Sequence, residues 1–299
     1  MASRGRYALA ALLTGAAAIA TSALFVKVSE AGPVSTAFWR VFLALPVLWA
    51  WAAWESRTQA RTTARGDLRL IALAGVFFAG DLAVWHWSIV LTSVANATLL
   101  ANCAPIFVTL AAWLIFRRTP RARFIVGLSA AITGVFLLLR GDFNRAGAAL
   151  VGDALGLVTA MFYAAYQIAI ARARRAVSTA RIMALSGTVT ALCLLPIALL
   201  SGERFLPETV HGWLIVAALA LISQAAGQSL IAYALAHLPA TFASVALLAQ
   251  AVIAAALAWV LLGEALTVVS IAGGVLVLIG IRVSHTAEVT PGASPRSST

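Results

Sequence analysis

Apolar residues run along the chain in ten blocks, each close to the length of about 17 to 25 residues that a helix needs to cross a bilayer. The blocks fall at approximately 7–27, 35–54, 68–91, 95–116 and 124–139, then at 151–170, 180–200, 211–236, 239–262 and 268–283. They are rich in Ala, Leu and Val and lack the polar–apolar alternation of barrel strands, which leaves helices as the spanning element. The first block follows Arg4 and Arg6 and contains small residues, so a signal peptide is its alternative reading. No linker or shift in composition marks a soluble domain. The tail from His285 to Thr299 is rich in Ser, Thr, Pro and Gly, has nothing to bury and is expected to be disordered on the cytoplasmic side.

Composition and charge narrow the class further. Of 299 residues 62% are hydrophobic and 10% charged, against roughly 25% charged in soluble domains. A net charge of +11 raises nucleic acid as a partner, but the basic residues sit in short segments between apolar blocks rather than on one face. Membrane topology accounts for them. With a cytoplasmic N-terminus, sixteen arginines fall on the inner side, among them Arg57, Arg69, Arg117, Arg118, Arg121, Arg172 and Arg175. The outer side receives Lys27, Arg140, Arg145 and Arg204. Both termini are therefore expected in the cytoplasm of a bacterial-type inner membrane. Cys103 and Cys193 both lie inside apolar blocks and read as buried spectators.

The chain also repeats. A shift of 147 residues lays Ala79-Gly80-Asp81 on Ala226-Gly227-Gln228, and Leu91, Leu100, Ala104, Ile106, Leu110, Ala111 and Leu114 on identical residues. The same shift pairs the third block with the eighth and the fourth with the ninth. Five crossings per copy reverse the second copy, so the expected fold is all-α, ten transmembrane helices as two inverted five-helix repeats. The expected division is 1–139 for the first repeat, 140–150 for a connecting loop and 151–284 for the second repeat.

The segment Trp85-His86-Trp87-Ser88-Ile89-Val90-Leu91-Thr92-Ser93-Val94-Ala95-Asn96-Ala97-Thr98-Leu99-Leu100, followed by Ala104-Pro105-Ile106-Phe107-Val108, carries a resemblance to a known family. Its counterpart runs from Leu238-Pro239-Ala240-Thr241-Phe242-Ala243-Ser244-Val245 to Leu262-Gly263-Glu264. Phe38-Trp39-Arg40 and Gly152-Asp153-Ala154-Leu155-Gly156 add to it. The sequence resembles the EamA-type branch of the drug/metabolite transporter superfamily and, within it, is similar to the YddG-like amino acid exporters. The resemblance implies inverted repeats around a central cavity, alternating access, and export of a small metabolite, most naturally an aromatic or apolar amino acid. The first repeat departs from the pattern in having Arg117 where the second has Glu264.

Polar residues inside the blocks point to a cavity on their own. Asp81 lies roughly 15 Å along the helix from Leu91, and ionisable groups at such depth default to function, with a hydrogen-bonded structural Asp as the alternative. Asp81, Trp85 and Ser88 share one helical face by their i, i+4, i+7 spacing. His86 points elsewhere, and a structural histidine is its competing reading. Asn102, Tyr163, Gln167, Gln224, Gln228 and Gln250 complete the candidate substrate-binding set, although each alone could bond neighbouring helices. Arg40, the one basic residue inside a block, is either an anchor for a substrate anion or a snorkelling side chain. Pro105 is expected to kink the fourth span. Asn96-Ala97-Thr98 matches a glycosylation triplet but reads as helix capping.

Enzyme motifs are missing. Lys27 is the only lysine and lies in no phosphate-binding loop; the four histidines (86, 211, 237 and 285) form no zinc pair; and no Gly-x-Ser-x-Gly occurs. The expectation is a secondary or facilitative transporter with no cofactor, no metal and no nucleic acid, acting as a monomer on a small molecule in the lipid bilayer. Proton coupling through Asp81 remains an alternative to ammonium binding by it. Export of nucleosides or quaternary amines, an intramembrane lipid-modifying enzyme and a passive scaffold are the rival functions.

Overall fold

The computed structural model describes residues 2–58, 65–92, 94–139, 148–262 and 267–289. Ten helices in it are long and apolar enough to cross a membrane. In the first half they are α1 (Arg6–Val26), α2 (Pro33–Arg57), α3 (Asp67–Leu91), α4 (Asn96–Leu114) and α5 (Ala122–Leu139). In the second they are α6 (Ala149–Ala173), α7 (Thr179–Leu200), α8 (Val210–Ala234), α9 (Ala240–Leu257) and α10 (Val268–Ala287). No strand occurs among the described residues.

Lipid is as apolar as leucine, so burial of apolar surface does not by itself pull these helices together; close packing through small residues does. The pair α5 and α10 shows it most clearly. A Cβ on Gly127 would stand 2.8 Å from the Gly280 carbonyl oxygen, and one on Gly134 would stand 2.7 Å from that of Gly273. Gly127 and Gly134 precede Gly273 and Gly280 by the same 146 residues. The first glycine of one helix thus meets the second of the other, in both directions, as two units do about a two-fold axis. This cross-pairing is the packing signature of the inverted repeat. The first helix joins the core in the same way: Leu12 and Ala16 are fully buried, and a Cβ on Gly15 would lie 2.8 Å from the Gly227 oxygen of α8.

Several spans are interrupted near mid-length. Helix α4 breaks at Asn102–Cys103, where the backbone tightens to a Cys103 N–H bond to Leu100 O at 3.0 Å before restarting at Ala104. Pro105 explains the restart, because it has no N–H to give and fits the first turn of a new helix. Helix α9 breaks at Leu247–Leu248 with the same tightened turn, Leu248 N–H to Val245 O at 3.0 Å. Helix α8 is wound as a π-helix over Leu219–Gln228.

Three expectations need correction. The last helix runs on to Val289, so residues 285–289, assigned above to the tail, are helical; 290–299 lie outside the described residues. The sixth helix starts at Ala148, inside the expected connecting loop, of which 140–147 lie outside the described residues. Asn96 does not cap its helix. It is buried within the first turn and its amide reaches the Asp153 carboxylate at 3.4 Å. Thr92 donates to the same oxygen at 2.7 Å, so Asp153 ties the α3–α4 turn to the start of α6.

Candidate functional site

A cavity of about 210 Å³ lies between the two halves. Helices α1 and α2 supply Ser22, Thr36 and Arg40; α3 supplies Phe78, Asp81, Leu82, Trp85 and His86; α4 supplies Thr98, Asn102 and Pro105. From the second half come Thr159, Tyr163 and Gln167 of α6, Gln228 of α8, and Ser244, Leu247 and Gln250 of α9. The breaks in α4 and α9 and the π stretch of α8 all fall at this level. A π turn holds more residues than an α turn and recurs at functional sites; here it carries Gln224 and Gln228.

Arg40 is buried, not snorkelling. Its Nε donates to Gln224 Oε1 at 3.2 Å, which fixes the guanidinium against the cavity wall. Gln224 does not line the cavity; it holds the residue that does. Arg40 and Asp81 both line this space, and no contact ion pair joins them among the described residues. Tyr163, Gln228 and Gln250 line the same space. The repeat-related Asp81 and Gln228 therefore both face one cavity.

Several buried polar atoms of the wall have no partner in the protein: Ser22 Oγ, His86 Nε2, Thr159 Oγ1, Gln167 Oε1 and Gln228 Oε1. Leaving buried polar atoms unmade costs stability unless something else satisfies them. His86 is the most informative. Its Nδ1 bonds the Leu82 carbonyl at 2.5 Å, and a carbonyl only accepts, so Nδ1 carries a proton, while Nε2 is buried with no partner in the protein. Asn102 is less free: its amide donates to Thr98 O at 2.8 Å.

The structure thus gathers nine of the eleven candidates, Arg40, Asp81, Trp85, His86, Asn102, Tyr163, Gln167, Gln228 and Gln250, around one space. Ser88 and Gln224 are the corrections. Ser88 is on the Asp81 face, but α6 begins against it, and its hydroxyl donates to Gly152 O at 2.7 Å. His86 was placed elsewhere by its angle on the helix; folding back onto the preceding turn and lying edge-on to Trp85 brings its ring to the cavity. Thr159 was missed, although Thr159, Tyr163 and Gln167 form an i, i+4, i+8 stripe. Ser22 carries no comparable signal.

Paired breaks, an inverted repeat and a cavity between the halves that holds Arg40 and Asp81 are what a membrane transporter needs. The chain belongs to the EamA-like transporter family, whose model matches residues 6–140 and again 150–286. Relatives include two uncharacterised transporters of Archaeoglobus fulgidus. One is 29% identical over 64% of this chain and 68% of its own length, the other 25% identical over 93% and 96%. The pseudopaline exporter CntI of Pseudomonas aeruginosa is 27% identical over 74% of this chain and 77% of its own. One solved crystal structure superposes with a TM-score of 0.79 at 18% identity, covering 95% of this chain and 97% of that one, and so shares the fold. The family assigns transport, not catalysis.

Proposed function

We propose that this transporter exports amino acids with apolar or aromatic side chains by alternating access, with its arginine-rich end in the cytoplasm of a bacterial-type inner membrane. The observation that carries the reading is the pairing of Arg40 with Asp81 in one cavity. A zwitterion needs one cation for its carboxylate and one anion for its ammonium, held too far apart to neutralise each other. The unpartnered acceptors Gln167 Oε1 and Gln228 Oε1 add places for N–H donors. Phe78, Leu82, Trp85 and Leu247 offer an apolar wall for a side chain. Excess arginine at one end supports the orientation, and an exporter among the relatives supports the direction.

Counterflow in proteoliposomes with a panel of amino acids, nucleosides and quaternary amines tests the reading. Exchange of leucine- or phenylalanine-like substrates is expected; movement of nucleosides or amines with no amino acid overturns it. Asp81→Asn is expected to raise KM about tenfold, the loss of a charge-assisted hydrogen bond, while any pH dependence persists. If Asp81 instead carries a coupled proton, that pH dependence disappears and downhill exchange survives. Wild-type affinity, rate and pH profile in this variant would reduce Asp81 to packing.

A further inference from the structure

A second and larger space, of about 730 Å³, lies beyond the central cavity toward the arginine-rich end. Three helices show how the two are stacked. Along α4 the lining passes from Pro105 to Val108, along α6 from Gln167 to Ile168, and along α9 from Ser244 back to Thr241. Each step is within one helical turn, about 5.4 Å. The two spaces therefore adjoin at the level of Pro105–Val108, Gln167–Ile168 and Thr241–Ser244.

The walls of this chamber hold Arg118, Arg121, Arg172, Arg175 and His237, and no carboxylate lies among the described residues that line it. Local structure aims these charges. Arg117 adopts a left-handed conformation, φ 50°, and closes α4 with the Arg118 N–H bonded to Ala112 O at 2.9 Å, which turns the chain so that Arg118 lines the chamber. The Arg172 guanidinium lies over the Phe116 ring at 4.1 Å, and Arg121 donates to Ala287 O at 2.7 Å. A rule that collects basic residues at one end of a membrane protein does not require four of them to wall one cavity on the axis of another.

We infer that this chamber is an oxyanion-binding station on the transport path, taking the carboxylate or phosphate of a soluble metabolite before it passes into the central cavity. Clefts lined by one sign of charge focus the field and raise the local concentration of the opposite charge. Guanidinium groups meet carboxylate and phosphate oxygens with paired N–H donors. The inference rests on the proposed transport through the central cavity, but not on amino acids being the cargo.

The test is binding of citrate, as a soluble polycarboxylate probe, to the full-length protein in phosphatidylcholine nanodiscs, with choline chloride holding ionic strength constant. Wild-type protein is expected to bind citrate, and Arg118→Gln and Arg175→Gln each to weaken it about threefold to tenfold. Arg175→Lys, which keeps the charge, is expected to recover part of the loss, and Arg204→Gln, at the opposite end of the protein, to leave citrate binding unchanged. Citrate binding is read without amino acid transport, so failure of amino acid counterflow alone would leave this arm standing. Absence of citrate binding, or binding indifferent to both glutamine variants, overturns the inference. Citrate binding that vanishes when phosphatidylglycerol is added to the nanodiscs also overturns it, by assigning the chamber to a lipid headgroup.

Discussion

Where α1 turns into α2 and α7 into α8, two glutamates are answered by backbone. Glu203 Oε2 accepts the Val34 N–H at 2.9 Å at the start of α2, while Glu30 Oε2 accepts the N–H groups of Glu208 and Thr209, both at 2.9 Å, at the start of α8. Each half thus caps a helix of the other, with negative charge placed at the positive end of a helix dipole. Glycine makes room for both. A Cβ on Gly32 would fall 2.4 Å from the Glu203 carboxylate, and one on Gly212 would fall 2.3 Å from that of Glu30. Gly32 N–H bonds Arg204 O at 2.9 Å, and Trp39 Nε1 donates to Phe205 O at 2.7 Å, stitching the same seam. At the opposite end Arg118 and Arg175 line a chamber without carboxylates among its described lining. Charge that is satisfied within the fold holds the fold; charge left open is available to a ligand.

The largest expected effect concerns which end faces out, and it is all or none. In a Cys193→Ser background, Glu208→Cys is expected to react with a membrane-impermeant maleimide on intact cells, since the Glu208 side chain is 65% exposed. Arg118→Cys is expected to react only after permeabilisation. The reverse pattern would put the chamber outside and make its arginines an exit, not an entrance.

The next effect separates a structural charge from an open one. Glu203→Leu leaves the Val34 N–H without its acceptor and is expected to cost about 1 kcal/mol, as loss of a helix cap does. Arg175→Gln is expected to stay within about 0.5 kcal/mol, as an exposed substitution does. Thermal unfolding in nanodiscs reads both. Equal losses would erase the distinction between the ends.

How much of this is legible in sequence depends on whether a feature is local. The ten spans are, because span length and apolarity are set residue by residue. The relation of Asp81 to Gln228 is, because the repeat is written in the chain. Pro105 announces the break in α4, whereas nothing in Leu247–Leu248 announces the matching break in α9. The exchange of His86 for Ser88 at the cavity could not be read from helical angle, since the start of α6 decides which part of the α3 face stays open. The Glu203–Gly32 and Glu30–Gly212 seats join residues far apart in sequence, and two glutamates in loops look alike whether they cap a distant helix or none. Arg117 occupies a left-handed position where glycine would be the expected residue, so the turn that presents Arg118 has no sequence mark.

The smallest expected effect tests the seam at its most exposed point. The Thr209 hydroxyl and the Thr209 N–H, with lesser help from the Glu208 N–H and His211, hold the Glu30 carboxyl below its ordinary value of 4.5, while partial desolvation opposes them. A carboxylate whose value is lowered in the folded state stabilises that state fully above the unfolded value. As pH falls below about 4.5 the unfolded chain takes up its proton first, and the contribution shrinks until it is gone below the folded value. Water and salt compete for these bonds, so the effect is modest. Unfolding temperatures of wild type and Glu30→Gln, followed from about pH 7 to about pH 3, are expected to differ most at neutrality and to converge in acid. Parallel curves throughout would mean that the Glu30 charge does not hold α8, leaving Glu203 to close the seam alone. The satisfied end of the molecule would then carry an open charge of its own.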